Sequence, residues 1–494
     1  MTFDPDVAYQ AILARDARFD GRLFVGVTST HVYCRPICRV RTPMRKNCRF
    51  YESAAQAEAA KFRPCMKCRP EIAPGPGLPW TVMDASRTLA HQAALALDAA
   101  AADGEAPSVG ALAARLGVSD RHLRRIFMAE HGVTPLQYLQ TRRLLLAKHL
   151  LTDTQLPVAQ VALSSGFRSL RRFNAAFADT YRMNPARLRR AAVDAGTAMS
   201  AGDALAVTVT LGYRDPYDVD ALLRFVAQRA IPGIERVDGL EVRRTLRAGT
   251  LSGASGWIEA RFVPATAQVR LRFAPSLAKS SGRVVAAVRR WLDLDAAPAT
   301  IDAALADLPG APGLRLPGSL DAFELAVRAV LGQQVTVAAA RTLAGRLAER
   351  FGERIETPWA EAARTFPSPA SLAAAPIETI AELGIIRARA GAIAAIAQEW
   401  PSVAELLQAR SDPALLIERL CRLPGIGPWT AHYIAMRALG WPDAFPPNDV
   451  AALKAMKQLF GITSSRDANA RAQTWQPWRS YAVLRLWNTL GAST

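Results

Sequence analysis

Four of the six cysteines lie in two short stretches, "HVYCRPICRV" (31–40) and "FRPCMKCRPE" (62–71), as Cys34, Cys38, Cys65 and Cys68. The spacing is C-x3-C, 26 residues, then C-x2-C. Each close pair can chelate from one turn, and the two pairs together supply the four thiolates of a tetrahedral site. Zinc is the default metal for such a set. It could serve as a purely structural knuckle, or it could keep one of its own sulfurs in the reactive thiolate form. Cys48 has no place in this pattern and reads as a spare, buried cysteine. A second stretch with chemical potential is "LPGIGPWTA", followed after about twenty residues by a Pro-rich loop ending in Asp449. A Gly-x-Gly hairpin between two helices turns backbone N–H groups outward, where they can hold a phosphate without reading bases.

The elements that must position these residues belong to a chain of 494 residues, long enough for three or four domains. The net charge is +18 and the isoelectric point about 10.3, which points to a polyanionic partner. Residues 1–200 hold 28 Lys and Arg against 16 Asp and Glu, so two-thirds of the excess sits in the first two-fifths of the chain. Arginine predominates there, and its planar fork suits phosphates and base edges; a GC-rich genome would give the same bias. The N-terminal "MTFDPDVAYQ" has neither a basic nor an apolar signal region, and no run of about 18 apolar residues is long enough to span a bilayer. The expected location is therefore the cytoplasm, without membrane association. Thiols stay reduced there, and clustered cysteines read as metal ligands.

Two breaks divide the chain. "APGPGLPW" (73–80) can continue neither helix nor strand, and "AAVDAGTAMSAGDA" (191–204) is a softer linker. The first block, "FDGRLFVGVTSTHVYCRPICRVRTPMRKNCRFYESAAQAEAAKFRPCMKCRP" (19–70), resembles the N-terminal domain of the Ada methylation-response regulators. The resemblance implies that Cys34 is both a zinc ligand and a nucleophile that irreversibly takes a methyl group from a DNA methylphosphotriester, with Cys38, Cys65 and Cys68 as co-ligands. Four thiolates on Zn²⁺ make a −2 site, and methylating one leaves −1. The surrounding Arg35, Arg39, Arg41, Arg45, Lys46, Arg63 and Lys67 would then dominate the field that DNA meets.

The second block contains a duplicated pattern. "LAARLGVSDRHLRRIFMAEHGVTPLQYL" (112–139) has a turn glycine, Gly117, and a capping Ser119 before a basic amphipathic helix. "VALSSGFRSLRRFNAAFADTYRMNPARLRR" (161–190) repeats it with Gly166 and Ser169, and each copy closes on a Pro turn, at Pro135 and Pro185. The pair resembles the AraC family, which implies that the third and sixth helices of the block, 119–130 and 168–179, enter the major groove. The base-contact candidates are Arg121, His122, Arg124, Arg125, Arg168, Arg171 and Arg172.

The third block shows strand-like alternation in "ALAVTVTLGY" and "AQVRLRFAP", then helices from about residue 300. "LCRLPGIGPWTAHYIAMRALGWPDAFPPNDV" (420–450), "GLRLPGSLDAFELAVRAVLGQQVTVAAARTLAGRLAERFG" (313–352) and "WRSYAVLRLW" (478–487) resemble the helix-hairpin-helix DNA glycosylases, the AlkA type of DNA-3-methyladenine glycosylase II above all. The resemblance implies that Asp449 drives cleavage of an N-glycosidic bond in a flipped alkylated nucleotide. The pocket would be formed by Phe225, Trp429, Tyr433 and Trp487. DNA would be held at Gly425 and Gly427 and wedged open at Gln334, where AlkA has a leucine; Asn448 stands where AlkA has a second aspartate. Relatives that also cut the backbone carry a lysine where Trp429 sits, so a monofunctional glycosylase is expected. Cys421 stands alone in this block, so no iron–sulfur cluster is expected. A monovalent cation could bind backbone carbonyls near Cys421, Leu423 and Gly425.

The expected fold is thus multidomain and mainly α. It has a small four-cysteine zinc domain (1–77), an AraC-type double helix-turn-helix (80–192), and an α+β glycosylase. The last consists of a small β-rich subdomain (205–300) and a helix-hairpin-helix core (301–490). No Pro-Cys-His-Arg tetrapeptide is present, so repair of O6-alkylguanine is not expected. Three functions compete: a fused methyl sensor, transcription activator and base-excision enzyme; a regulator whose glycosylase block only binds DNA; and an enzyme whose front domains anchor it. The expected partners are alkylated and promoter double-stranded DNA, with RNA polymerase a candidate for an activator, and the chain is expected to be a monomer.

Overall fold

The computed structural model describes residues 3–75, 85–105, 107–194, 206–408 and 412–491. The expected linkers fall partly outside them: of 73–80 only 73–75 are described, and of 191–204 only 191–194, which still belong to the helix Pro185–Asp194. Two compact units emerge. The first comprises residues 1–215, 263–286 and 294–296; the second comprises 216–262, 287–293 and 297–494. The stretch 205–300 therefore contributes to both. Among the described residues no helix is long and apolar enough to cross a membrane.

The first unit begins with a four-stranded sheet in the order Cys48–Tyr51, Phe24–Val27, Val32–Cys34, Arg63–Pro64. The first three strands are antiparallel, but Arg63–Pro64 runs parallel to Val32–Cys34, with Tyr33 opposite Pro64. This parallel pairing carries the second cysteine pair back to the first: the Cys65 N–H donates to the Tyr33 carbonyl at 3.0 Å. The small core here comprises Ile12, Val25, Cys34, Cys38, Cys48 and Cys65. Cys48 is buried, as its spare position implied.

Among the described residues of the same unit seven helices follow: Ala85–Asp103, Val109–Arg115, Asp120–His131, Pro135–Asp153, Val158–Ser164, Leu170–Tyr181 and Pro185–Asp194. Ser119 and Ser169 cap the third and sixth, accepting from the N–H groups of His122 and Arg172. The turn glycines Gly117 and Gly166 both have left-handed backbones, with φ of 69° and 79°, a conformation that costs glycine least. One expectation is corrected. Pro135 and Pro185 open helices rather than form turns, because proline lacks the N–H that the first helical position leaves unpaired anyway. Thr134 caps the first with Gln137 in a capping box, and Asn184 Oδ1 accepts from the Arg187 N–H at 2.8 Å.

The helix Pro135–Asp153 joins the two halves, and its last two turns, Ala147 to Asp153, are buried all round. Glu58, on the short helix Ala54–Ala59, is packed against it. The Tyr33 hydroxyl donates to Glu58 Oε1 at 3.1 Å, and Thr141 and Lys148 stand nearby. Burial pushes this carboxyl up to about 8. Below its unfolded value of about 4.3 the group is protonated in both states and costs nothing. As pH rises toward 8 the unfolded chain alone loses the proton, so stability falls across that window. Glu58→Gln is expected to gain on the wild type between pH 5 and pH 9 by a few kcal/mol, on the order set by that shift. Paired thermal melts at the two pH values measure it, and an equal difference at both would refute the assignment.

In the second unit the strands Glu235–Asp238, Glu241–Leu246 and Gly256–Val263 form an antiparallel ladder. The main core lies among helices, with Phe323, Val327, Val330, Leu347, Ile393, Leu416 and Ile434 fully buried. The helices Pro413–Cys421 and Pro428–Ala438 flank the hairpin.

Candidate functional sites: a thiolate cluster and a tryptophan-held carboxylate

In the first unit one Sγ from each of Cys34, Cys38, Cys65 and Cys68 lies within 4.8 Å of the others. A zinc ion with Zn–S bonds of about 2.3 Å fits inside such a cluster. Hydrogen bonding, led by the Cys34–Cys38 contact, pushes the Cys34 thiol up and brings Cys38 down to about 7. Bonds from Cys34 likewise lower Cys65 and raise Cys68. Four thiols in this state are a ligand set.

Three of the four sulfurs also accept a backbone N–H: Cys38 from Val40, Cys65 from Cys68, and Cys68 from Arg35 at 3.3 Å. One expected DNA contact is corrected here. Arg35 is 5% exposed, makes a two-pronged ion pair with Asp20, and donates to the Cys68 carbonyl at 3.0 Å. Its charge is neutralised inside the fold and braces the cysteine loop. Arg39, Arg41, Lys46 and Lys67 are exposed, while Arg63 is half-buried, as is Arg45, which pairs with Asp6.

On the helix Asp120–His131, Arg121, Arg124 and Arg125 are exposed and His122 is half-buried. Arg124 Nε donates to Asp120 Oδ1 at 2.6 Å, and Arg125 lies 3.3 Å from His122 Nδ1. Arg168 lies just before the cap Ser169, and Arg171 and Arg172 are in the first turn of Leu170–Tyr181; all three are exposed.

In the second unit Asp449 is 5% exposed and caps the helix Val450–Phe460. Its Oδ1 accepts from the Ala452 N–H at 2.7 Å and from Trp487 Nε1 at 3.0 Å, and its Oδ2 accepts from Trp429 Nε1 at 2.7 Å. A carboxylate has about four acceptor positions; three are occupied, and the one left is on Oδ2. Trp429 and Tyr433, one turn apart on Pro428–Ala438, are stacked with centroids 5.3 Å apart at 9°, and Tyr433 and Trp487 are 6.3 Å apart. Of the four expected pocket aromatics, Trp429 and Trp487 hold Asp449 directly, and Tyr433 joins them through its ring contacts. Phe225 reaches the group through Arg437, whose guanidinium carbon is 4.9 Å from the Phe225 centroid and 5.5 Å from that of Tyr433. Asn448 is exposed beside Asp449.

The hairpin is tight because Gly425 has φ +77° and a Cβ there would sit 2.7 Å from that of Ala392, whereas around Gly427 nothing lies within 4 Å. Gly427 leaves the first N–H groups of Pro428–Ala438 open to an incoming phosphate. Gln334 is exposed with φ +54°. Its neighbour Gln333 was missed from the sequence: Nε2 donates to the Gly425 carbonyl at 3.0 Å and to Thr430 Oγ1 at 3.1 Å, tying the Gln334 loop to the hairpin. Arg437 was also missed, although its place four residues after Tyr433 on one helix put the two on the same face.

Comparison with known proteins finds relatives of both halves of the chain. Family models match the metal-binding domain of Ada over residues 7–71 and a helix-turn-helix domain over 112–191. They also match the AlkA N-terminal domain over 208–321 and the HhH-GPD superfamily of base excision DNA repair proteins over 327–480. A probable bifunctional transcriptional activator/DNA repair enzyme AlkA of Mycobacterium tuberculosis is 38% identical, the match covering 99% of this chain and 97% of that one. DNA-3-methyladenine glycosylase 2 of Escherichia coli is 35% identical over 57% of this chain and 97% of its own. The bifunctional transcriptional activator/DNA repair enzyme Ada of the same organism is 36% identical over 28% of this chain and 36% of its own. With one relative matched end to end and each block matched by its own family model, the chain belongs to the family of bifunctional regulators and repair proteins that join an Ada-type metal-binding and helix-turn-helix half to an AlkA-type HhH-GPD half.

Proposed function

We propose that this protein answers alkylation damage in two ways, as a monofunctional DNA glycosylase for alkylated bases of the 3-methyladenine type and as a methyl-sensing transcription activator. The observation that carries the glycosylase is the Asp449 carboxylate, fixed by Trp429, Trp487 and the Ala452 N–H beside an aromatic stack. Cleavage of the glycosidic bond builds positive charge on the sugar, and an anion held at fixed distance stabilises it without rearranging. The free lone pair on Oδ2 is the one that would face the sugar or orient water. A target base must leave the helix to arrive there, with Gln334 filling the gap and the hairpin at Gly425 and Gly427 gripping the strand. Trp429 occupies the position a lyase lysine would need, so no Schiff base forms. The Leu423 and Gly425 carbonyls each accept one internal hydrogen bond and keep a lone pair apiece, so with the carbonyl near Cys421 they would hold a monovalent cation, which would supply positive charge for a phosphate.

In the other half, Cys34, Cys38, Cys65 and Cys68 would hold a zinc ion, which when bound keeps the sulfurs deprotonated. Cys34 stands at the position that the Ada resemblance assigns to the nucleophile. Its sulfur attacks the methyl carbon of a methylphosphotriester, the C–O bond breaks, and an ordinary phosphodiester leaves as Cys34 becomes a thioether. The cluster loses one negative charge, and Arg39, Arg41, Lys46 and Lys67 then hold DNA more tightly. Arg121, His122, Arg125, Arg168, Arg171 and Arg172 would read promoter sequence in the major groove.

The test is base release from duplex DNA treated with a methylating agent. Free 3-methyladenine should accumulate while the strands stay intact. Tight DNA binding with no freed base would instead mean a regulator whose second half only grips DNA.

A further inference from the structure

Arg437 is 9% exposed, and the partners that hold it are all neutral: Nε donates to the Pro317 carbonyl at 2.8 Å, Nη2 to the Gly318 carbonyl at 3.0 Å, and Nη1 to the Tyr433 hydroxyl at 2.8 Å. A second guanidinium, Arg229, lies 3.7 Å from the Phe225 centroid and donates to the Phe225 carbonyl at 3.2 Å. Glu324 and Glu235, the nearby carboxylates, are engaged elsewhere: Arg244 pairs with both, and Arg328 pairs with Glu324. Among the described residues, two cations with no carboxylate of their own thus back the rings of Phe225 and Tyr433. Their field is felt in the pocket wall: burial alone would raise the Tyr433 phenol, yet the charges of Arg437 and Arg229 draw it below its ordinary value.

This placement is the opposite of what a pocket for cations alone would use. A buried positive charge against the aromatic faces weakens their attraction for a methylated, cationic base. It favours a base that leaves as an anion. When a cationic base departs, the electron pair of the C1′–N bond makes it neutral, and it needs no help. When a neutral base departs by the same heterolysis, it carries a full negative charge until a proton from water reaches it, while hydroxide from that water, or water itself, bonds to C1′. We propose that Arg437, acting through Tyr433 and seconded by Arg229, sets the specificity of the pocket, restraining release of cationic bases and promoting release of neutral ones. The inference rests on the glycosylase reading and on Tyr433 and Phe225 as pocket walls.

The experiment measures single-turnover release of 7-methylguanine, a cationic base, and of hypoxanthine, a neutral one, from otherwise identical duplexes by the full-length protein. Arg437→Met should raise the cationic-to-neutral rate ratio by about tenfold or more, as expected for removing a unit charge near the reacting atoms. Arg437→Lys should hold the ratio near that of the wild type, because the charge is kept. Arg229→Met, at a less buried position, should shift the ratio in the same direction and covers the case in which Arg437→Met does not fold. Equal losses on both substrates in the Met variants, or failure of Arg437→Lys to hold the ratio, would overturn the proposal by making the arginines merely structural. A wild type that frees 7-methylguanine but no hypoxanthine would overturn it as well. Release of neither base by the wild type would instead bring down the glycosylase reading itself.

Discussion

Asp449→Asn should slow base release by about a thousandfold, the scale for removing a charge aimed at the transition state, while the protein still folds and still binds DNA. Asparagine has the same shape and caps a helix as well as aspartate does, so Val450–Phe460 keeps its start. What changes is the acceptor set. Three N–H groups converge on the carboxylate, two on Oδ1 and one on Oδ2, and an amide offers one oxygen and one NH₂. With the oxygen kept at the Oδ1 position, the NH₂ meets the Trp429 N–H and leaves that donor unpaired, at a cost of about 1–3 kcal/mol in stability. The charge facing the sugar is gone in either orientation. Release rate and DNA affinity are therefore expected to part company, and single-turnover release alongside equilibrium binding to the same duplex measures both. A variant as fast as the wild type would reduce Asp449 to a helix cap.

The same three contacts show what the sequence could and could not reveal. Asp449 stood out because a hairpin motif and a Pro-rich loop are local patterns. Its holders are 20 and 38 residues away, and nothing local says that two indoles will converge on one carboxylate. The cysteine ligands were legible for the same reason, since chelation depends on short spacings. The parallel pairing of Tyr33 with Pro64, which unites the two halves of the cluster, was not. Arg35 reads as one more basic residue in a basic run; only the fold brings Asp20 to it and removes it from the DNA-facing set. Pro135 and Pro185 illustrate a true ambiguity, since proline suits a turn and a first helical position equally well. The mainly helical, multidomain class followed from periodicity, but the way the stretch after residue 205 feeds two compact units depends on strand pairing between Val207–Gly212 and Gln268–Phe273, a long-range choice that alternation cannot encode.

Cys34→Ala is expected to abolish methyl uptake completely while leaving base release untouched. Mixed with DNA carrying methylphosphotriesters, the wild type should gain the mass of one methyl group on the peptide containing Cys34, once and irreversibly, and the variant none. Three thiolates with water in the fourth position still make a competent zinc site, so Cys34→Ala should retain metal. Removing the metal itself is a different perturbation. Four of the six buried residues in that small core are cysteines, three of them ligands, so the ion stands in for much of the hydrophobic interior that a domain of this size cannot build. Chelation is therefore expected to unfold the sheet and end methyl transfer, whereas Cys34→Ala keeps the sheet, which far-ultraviolet circular dichroism with metal analysis separates. Methyl gain on Cys38, Cys65 or Cys68 in the variant would mean that Cys34 is not the selected nucleophile. Because Cys34 and Asp449 belong to separate compact units, each variant should lose one activity and keep the other. Loss of both in either variant would mean that the two halves act as one machine, with damage to the backbone and damage to the base read together.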